Sequence, residues 1–359
     1  YDKIVIVTHL APDGDALGSS LGLYHFLKAL GKKDVQVIVP NDYPVFLHWM
    51  PGAKGVVNAE WHVKSAELAI ASANLIFCLD FNTPKRIARL ENPVRQSKAR
   101  KILIDHHLLP EDFCDVTISH PEISSTSELI FHLIYRMGMF EYLNASGAEC
   151  IYTGMMTDTG AFTYNSGSYA IYHIISELLQ KGIDKDAIYS KVYNQCKEGR
   201  IRLQGYLLYE KMKVFEEYKT SLITLSEQEH MRFDPERGDT EGFVNIPLSM
   251  EKIVFSAFIR EDKNIIRISL RSKGTFPANR FAAEVYGGGG HLNASGGEFS
   301  GTLEAAAGKF EEALPAYSEW ITDSDMPSPV VRKIGMLNHP GLSSLQGRIV
   351  GFPPAVETD

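Results

Sequence analysis

The feature that most constrains the fold is a strand, a tight loop and a helix at the start of the chain. Residues 4–7 (Ile-Val-Ile-Val) are apolar and β-branched, which is typical of a buried strand, and residues 16–30 carry leucines at helical spacing. Between these segments lie His9, Asp13 and Asp15. Open α/β sheets bind their ligands at the carboxyl ends of their strands. The segment therefore predicts an α/β fold with a site at the end of its first strand.

The two aspartates of this loop have two interpretations. In the first, Asp13 forms the turn and Asp15 caps the helix, while Pro12 stiffens the loop and Gly14 lets the backbone bend. In the second, the carboxylates flank a cation, because two ionised carboxylates this close otherwise repel each other. His9, four residues before Asp13, favours a metal ion. A metal site would require more His and Asp ligands from later segments.

Such residues follow at the ends of later apolar segments. Strands are predicted at residues 35–39, 75–79 and 101–104, and residues 148–156 form a further apolar segment, after which Asp158 is also placed at a strand end. The acids and imidazoles after these segments are Asp80, Asp105, His106, His107 and Asp158. Strands that alternate with helical segments predict a parallel sheet with helices on both faces, and their ends converge at one edge. Taken singly, each residue has an ordinary explanation as a helix cap, a turn or a buried imidazole.

The second half of the chain predicts a different, α+β domain. Residues 182–209 are polar and helical, and indicate a connection between domains. Strands are predicted within 212–225 and 253–270, and helices over 279–286 and 303–320. The predicted organisation is a metal-binding domain over 1–185, a helical linker over 186–210, a smaller substrate-binding domain over 211–322 and a tail of unassigned role over 323–359. A capping box is also predicted at Ser125, ahead of a helix in the first domain.

An arginine-rich strand and a glycine run lie close together in the second domain. Alternation over residues 266–271 places two arginines and a serine on one face of a strand. Four glycines over 287–290 precede His291, and glycines let a phosphate approach backbone N–H groups. A solvated strand face is the ordinary explanation for the arginines. Beside a metal domain, the two features together predict a lid that binds phosphate.

Composition limits the classes of function. The chain has 359 residues, 44% hydrophobic and 22% charged, as in a soluble two-domain protein. A net charge of -8 argues against a protein that coats long nucleic acid, but not against one that binds a small anion at a metal centre. The four cysteines are widely spaced and predict reduced thiols in a cytoplasm. Neither a membrane span nor a signal peptide is predicted.

Together these motifs resemble those of the DHH phosphoesterases. The first-domain segments that carry the resemblance are His9-x-x-x-Asp13-Gly14-Asp15, Asp80, Asp105-His106-His107 and Thr157-Asp158-Thr159-Gly160. Residues 269–272 and 288–297 resemble the DHH-associated C-terminal domain. The resemblance covers about residues 3–320, and within the family it points to the short-chain oligoribonucleases that also dephosphorylate pAp, and to relatives that cleave dinucleotides.

The resemblance implies a site for two divalent ions, with Mn²⁺ as the family's usual metal. One ion would be held by His9, Asp13 and Asp80. The ligands of the other would be Asp15, Asp80, His106 and Asp158, so that Asp80 bridges the two. Asp80 and His107 would be the catalytic residues, with His107 facing the scissile phosphate and Asp105 orienting the neighbouring imidazoles. The implied substrate-binding residues, besides His107, are Arg271, Ser272, Gly289, Gly290 and His291.

The resulting prediction is a phosphoesterase that hydrolyses short oligoribonucleotides or dinucleotides to mononucleotides, removes the 3′-phosphate of pAp, or does both, by two-metal hydrolysis. The alternatives are a cyclic-di-AMP or pApA phosphodiesterase and an inorganic pyrophosphatase, which shares the metal motifs. The complete ligand set disfavours a non-catalytic nucleotide sensor. The expected partners are short substrates, without long duplex nucleic acid or a membrane, and a homodimer is left open.

Overall fold

A computed structural model describes residues 1–322 of the chain, which form two regions built on one six-stranded sheet each. The predicted tail over 323–359 lies outside the described residues. Among residues 1–322, every helix is too short or too polar to span a lipid bilayer.

The first sheet is entirely parallel, with the strand order β3-β2-β1-β4-β5-β6. Its strands are β1 (Lys3–Val7), β2 (Asp34–Val39), β3 (Val57–Asn58), β4 (Leu75–Leu79), β5 (Arg100–Asp105) and β6 (Val116–Ser119). The strand order reverses between β1 and β4, so a crevice opens outside the carboxyl ends of these two strands. The predicted parallel α/β architecture is confirmed.

Helices cover both faces of this sheet, which explains why its central strands are apolar throughout. They are α1 (Gly14–Ala29), α2 (Val63–Ser72), α3 (Glu91–Gln96), α4 (Thr126–Arg136), α5 (Ala145–Asp158) and α6 (Tyr169–Gln180). The larger core lies between the sheet and α1, α4, α5 and α6, and a second core lies under α2 and α3.

Helices α1 and α5 approach each other closely because glycines line their contact. A Cβ atom added to Gly18 would lie 2.7 Å from the carbonyl oxygen of Cys150 and from the backbone of Gly154. Gly14, one turn earlier in α1, packs in the same way against the side chain of Thr157. The contact runs antiparallel, so the start of α1 and the end of α5 meet at the crevice.

The start of α1 differs from its predicted form. Asp13, not Asp15, is the N-cap: its Oδ1 accepts hydrogen bonds from the backbone N–H groups of Asp15 (3.1 Å) and Ala16 (3.0 Å). Gly14 is the first residue of the helix and has no positive φ. Gly14 lacks a side chain because α5 packs against it, and it does not form the predicted sharp bend of the backbone.

Two predictions around α4 and α5 also need correction. Asp158 ends a helix and does not follow a strand, because the apolar run over 148–156 is a helix buried on most sides, which periodicity alone does not distinguish from a buried strand. The capping box at Ser125 is half formed. Its hydroxyl accepts from the backbone N–H of Glu128 (3.0 Å), but the Glu128 carboxylate accepts from the N–H of Ser124 (3.0 Å).

The second region contains a mixed sheet in the order β11-β12-β10-β9-β8-β7, antiparallel except between β8 and β9. Its strands are β7 (Met212–Phe215), β8 (Thr220–Leu225), β9 (Phe255–Asp262), β10 (Ile265–Ser272), β11 (Gly289–His291) and β12 (Ala294–Phe299). The remaining helices are α7 (Lys185–Tyr193), α8 (Glu198–Tyr206), α9 (Glu227–Met231), α10 (Ala278–Tyr286), α11 (Leu303–Ala313) and α12 (Ser318–Thr322). The predicted α+β character is confirmed.

The predicted continuous helix over 303–320 is wrong. Helix α11 ends at Ala313, a 3₁₀ turn spans Leu314–Tyr317, and α12 begins at Ser318. The interruption coincides with Pro315, which has no backbone N–H to continue an α-helical ladder.

Candidate metal centre

The first predicted ligand group lies in the crevice between β1 and β4. The Nε2 atom of His9 is 3.7 Å from Oδ1 of Asp13 and 3.4 Å from Oδ2 of Asp80, and His9 and Asp80 are buried. Asp80 directly follows β4 with a φ of 65°, a backbone conformation that Asp tolerates better than most residues. This turn directs its carboxylate back towards the loop after β1.

The second predicted group shares Asp80 with the first. The Nε2 atom of His106 is 3.5 Å from Oδ1 of Asp80, 3.8 Å from Oδ2 of Asp15 and 3.6 Å from Oδ2 of Asp158. Asp15 comes from the first turn of α1 and Asp158 from the last residue of α5, which the glycine contact brings together. The two oxygens of Asp80 thus face different groups.

The donor atoms fit two divalent cations. Their nitrogen–oxygen separations of 3.4–3.8 Å exceed those of ordinary hydrogen bonds, about 2.7–3.2 Å, so the side chains face one another across gaps. Within each group of His9, Asp13, Asp80 and of Asp15, Asp80, His106, one ligand atom per residue lies within 4.8 Å of the others. Buried carboxylates need a compensating charge, and mixed imidazole and carboxylate donors suit first-row divalent metals.

Backbone carbonyls fix which imidazole nitrogen faces each group. Nδ1–H of His9 donates to the carbonyl of Leu10 (2.9 Å), and Nδ1–H of His106 donates to the carbonyl of Ile123 (3.3 Å). In the neutral ring, Nε2 is therefore the nitrogen whose lone pair faces the carboxylates. Such outer hydrogen bonds orient metal-ligating histidines in known sites.

Asp105 contacts one of the two imidazoles that follow it. Its Oδ1 accepts a hydrogen bond from Nδ1–H of His107 (2.7 Å), while its Oδ2 is buried and has no hydrogen-bond partner among the described residues. Burial raises the pKa of Asp105. Asp105 therefore contacts His107, as its implied orienting role requires. The ring of His106 is oriented instead by the backbone carbonyl of Ile123.

The N-terminus of α4 holds two of the carboxylates, a role that was not predicted although the start of this helix was. Backbone N–H groups of Thr126 and Ser127 donate to the two oxygens of Asp15 (2.6 and 2.8 Å). The Thr126 hydroxyl also donates to Oδ1 of Asp80 (3.0 Å). A helix N-terminus stabilises negative charge, so α4 both orients and stabilises these carboxylates. The run of Ser and Thr over residues 124–127 was the available signal.

The sequence reasoning also missed Arg86, six residues after Asp80 in a 3₁₀ segment. Its carbonyl accepts from the N–H of Leu10 (2.7 Å), which ties this segment to the first loop. Within residues 1–322, no carboxylate lies within ion-pair distance of its guanidinium, yet its charge acts on both His9 and His107. A cation without an ion-pair partner beside a metal centre is suited to a substrate anion.

The histidines of the centre fall into two electrostatic classes. Burial lowers the pKa of His9, but Asp13 and Asp80 outweigh it and raise that pKa to about 10. The carboxylates around His106 likewise overcome burial and raise its pKa to about 9. In contrast, burial and the charge of Arg86 lower the pKa of His107 to about 3. Without metal, the ligand imidazoles are therefore protonated at neutral pH and His107 is neutral.

Metal affinity is therefore expected to rise with pH. A metal ion held by His9 and His106 would bind only their deprotonated Nε2 atoms, so each proton released on binding would make the affinity rise by about a further tenfold per pH unit. Titration calorimetry between about pH 6 and pH 9, in two buffers of different ionisation enthalpy, would measure the affinity and the proton release. An affinity independent of pH and of buffer would contradict the assignment of these imidazoles as ligands.

The second region contributes a histidine directly over the centre. The ring of His291 lies 4.8 Å from that of His106 and 4.9 Å from that of His107, measured between centroids. Burial, together with the charge of His106, lowers the pKa of His291 to about 3. Half-buried Arg271 lies within the electrostatic influence of Asp158. The contacts of His291 with His106 and His107 close the crevice from above.

The other predicted substrate residues differ in how they are placed. The Ser272 hydroxyl donates to the carbonyl of Phe276 (2.8 Å) and accepts from Nδ2 of Asn293 (2.9 Å), so it is engaged within its own region. Gly289 and Gly290 lie in β11, the edge strand of the second sheet. Gly290 has a φ of 138° and a Cβ there would lie 2.6 Å from the Ala294 carbonyl oxygen, whereas Gly289 is open to its surroundings. The glycine run thus has a packing role as well.

Two domain families match the chain. The N-terminal domain of the DHH family matches residues 3–155, and the DHHA1 domain matches residues 220–323. Together they contain every predicted metal ligand except Asp158 and all the predicted residues of the second region.

Similar proteins are known over almost the full length. The bifunctional oligoribonuclease and PAP phosphatase NrnA of Thermus thermophilus is 31% identical, over 89% of this chain and 90% of that protein. The cyclic-di-AMP phosphodiesterase GdpP of Bacillus subtilis is 25% identical, over 88% of this chain and 48% of that protein. The crystal structure of an exopolyphosphatase-related protein from Bacteroides fragilis is 60% identical, with a TM-score of 0.85 over 89% of this chain and 94% of that chain. With these likenesses spanning both regions, the chain belongs to the DHH family of phosphoesterases.

Proposed function

We propose that this protein is a Mn²⁺-dependent phosphoesterase that hydrolyses short oligoribonucleotides or dinucleotides to mononucleotides and removes the 3′-phosphate of pAp. The observation that carries the proposal is the pair of ligand groups that share Asp80 beneath His107 and His291. The name of the T. thermophilus relative describes both activities. A paired metal site with cationic and imidazole groups on one side is suited to a phosphoester substrate.

The proposed ligands are the six residues already described in two groups. His9, Asp13 and Asp80 would hold one cation, and Asp15, Asp80, His106 and Asp158 would hold the other. When bound, the two cations would supply Lewis acidity to the phosphoryl oxygens and to the attacking water. The chain's own contribution is to keep these carboxylates fixed, through α4 and the carbonyls behind the imidazoles.

His107 is proposed to face the scissile phosphate as a neutral ring, whose Nε2 can accept but not donate a hydrogen bond. Its Nδ1–H is engaged by Asp105, which fixes the ring and leaves Nε2 free of that contact. Burial keeps its pKa near 3, so the ring faces the substrate without a charge of its own. Arg271 and Arg86 then supply the positive charge that offsets charge developing on the phosphoryl group.

The cover over the crevice favours short substrates over long ones. His291 stacks against His107 at an interplanar angle of 24°, so the second region covers the centre. We infer that this cover admits a dinucleotide or a nucleoside bisphosphate more readily than a continuous duplex. The net charge of -8 likewise disfavours long nucleic acid.

We infer a cytoplasmic location from the four free cysteines, which include buried Cys78 and Cys150.

Hydrolysis of cyclic di-AMP or pApA is the second candidate. It is favoured by the likeness to GdpP, which the chain matches over about half of that protein's length. An inorganic pyrophosphatase is disfavoured by the DHHA1 match, because the pyrophosphatases that share the metal motifs carry a different C-terminal domain.

One set of assays tests both candidates. Purified protein with Mn²⁺ is given pAp, pApA, cyclic di-AMP, pyrophosphate, RNA of two to five nucleotides and long single strands, and products are resolved by chromatography. The proposal expects mononucleotide from short RNA and AMP plus phosphate from pAp, with long strands cleaved slowly. Turnover confined to cyclic di-AMP and pApA would favour the second candidate, and turnover of pyrophosphate alone would overturn both.

A further inference from the structure

The loop that follows Asp158 holds an exposed tyrosine at the edge of the metal centre. Helix α5 ends at Asp158, and the chain turns through left-handed conformations at Gly160, Ala161 and Phe162, with φ between 56° and 62°. Ala and Phe adopt this conformation at a cost in free energy. Such a loop persists only when its surroundings hold it firmly, and it merits a functional explanation.

Hydrogen bonds hold this loop in one shape. The carbonyl of Thr159 accepts from the N–H groups of Thr163 and Tyr164 (both 2.9 Å), and its hydroxyl accepts from the N–H of Phe162 (3.0 Å). The hydroxyl in turn donates to the carbonyl of Met155 in α5 (2.7 Å). The loop is thus an extension of α5, and Tyr164 is tied to the residue next to Asp158.

The two aromatic residues of the loop point in opposite directions. The ring of Phe162 packs inward against Tyr152, 5.5 Å between centroids. The ring of Tyr164 lies over Gly160, where an added Cβ would be 2.8 Å from it, and 52% of Tyr164 is exposed. Within residues 1–322, the Tyr164 ring has no aromatic partner. The Cδ2 and Cε2 atoms of the ring lie against the glycine, and about half of the residue remains exposed.

The Tyr164 ring lies near charged groups of the centre. Asp158 precedes it in the chain, and the Tyr164 hydroxyl is among the groups that act on the pKa of Arg271, which burial lowers. Arg271 comes from β10 of the second region, so Tyr164 lies where the two regions meet. A phosphate between the metals and Arg271 would carry a ribose and base into this space.

We propose that the exposed face of Tyr164 is a stacking platform for a nucleobase of the substrate, and that it contributes to the choice of nucleotides over other phosphoesters. The inference rests on the proposed function and deepens it. An aromatic ring beside a cationic phosphate site is the arrangement that binds single-stranded nucleotides without reading their sequence. Support from a rigid loop lets the ring bind a base without first being ordered.

The test compares two proteins on three substrates, so that the tyrosine and each base are removed separately and together. Wild type and Tyr164→Ala are assayed with Mn²⁺ on pApA and on two analogues in which one adenine or the other is replaced by hydrogen. We expect Tyr164→Ala to raise KM for pApA by about tenfold or more, as for loss of one base–aromatic stack. On one of the two analogues the substitution should have almost no effect, which identifies the nucleotide that stacks.

Two control variants separate stacking from a structural role. Tyr164→Phe keeps the ring and should restore the wild-type KM. Tyr142→Ala removes an exposed tyrosine in the 3₁₀ turn beyond the far end of α4 and should leave KM unchanged. An equal loss on pApA and on both analogues, or a loss in kcat alone, would overturn the platform. Inactive wild-type protein would instead overturn the proposed function and this inference with it.

Discussion

Asp80→Asn is expected to lower kcat for short RNA by about a thousandfold while the protein stays folded. Each oxygen of Asp80 faces a different ligand group, so the substitution weakens both groups at once. Divalent cations stabilise phosphoryl transition states by several kcal/mol, and loss of about 4 kcal/mol corresponds to this factor. Mononucleotide release at saturating Mn²⁺ measures the effect.

The asparagine retains an oxygen that can accept from the Thr126 hydroxyl, and it removes repulsion between Asp80 and the nearby Asp15. The circular dichroism spectrum of the metal-free variant should therefore match that of the wild type. Asp34→Asn makes the same change in charge at the start of β2, the opposite edge of the sheet, and should leave turnover unchanged. Full activity of Asp80→Asn would refute the bridging assignment.

Gly18→Ala is expected to destabilise the first region by about 2 kcal/mol, because its Cβ would meet three backbone atoms of α5 at 2.7 Å. Backbone atoms cannot rotate away as a side-chain end can, so α1 and α5 must separate. The substitution also gains about 1 kcal/mol of helix propensity, which this overpacking has to exceed. Denaturant unfolding of the metal-free protein measures the difference.

Gly308→Ala is the matched control for this prediction. Gly308 lies in α11 and has nothing within 4 Å of an added Cβ, so the same change should stabilise the second region by up to about 1 kcal/mol. Separation of α1 from α5 should also move Asp15 away from Asp158 and weaken metal binding in Gly18→Ala. If the two variants had equal effects on stability, the close helix contact would not be the reason for Gly18.

The strands could be predicted well because their side chains are buried on both sides. Segments such as residues 75–79 are continuously apolar, and acids directly after them mark the carboxyl edge of a parallel sheet. The same continuous apolarity misled the prediction at 148–156, where a fully buried helix has no polar face to reveal its period. The glycines at 14, 18 and 22 were the unused signal for that helix contact.

The parts of the site that escaped prediction act through the backbone or through distant charge. The N–H groups of Thr126 and Ser127 hold Asp15 across more than a hundred residues, and an N–H group has no residue type to recognise. Arg86 acts on several groups without pairing with any carboxylate in the described part of the chain. Candidate side-chain ligands could be predicted because histidine and aspartate recur at the ends of successive apolar segments. The backbone N–H groups and the arginine that act on these side chains were not predicted.

Electron paramagnetic resonance of the Mn²⁺-loaded protein tests the central claim most directly. If the two ligand groups share Asp80, two equivalents of Mn²⁺ per chain should give the spectrum of an exchange-coupled pair. The same sample of Asp80→Asn should lose that spectrum. A spectrum of isolated Mn²⁺ at every loading of the wild-type protein would contradict a dinuclear centre.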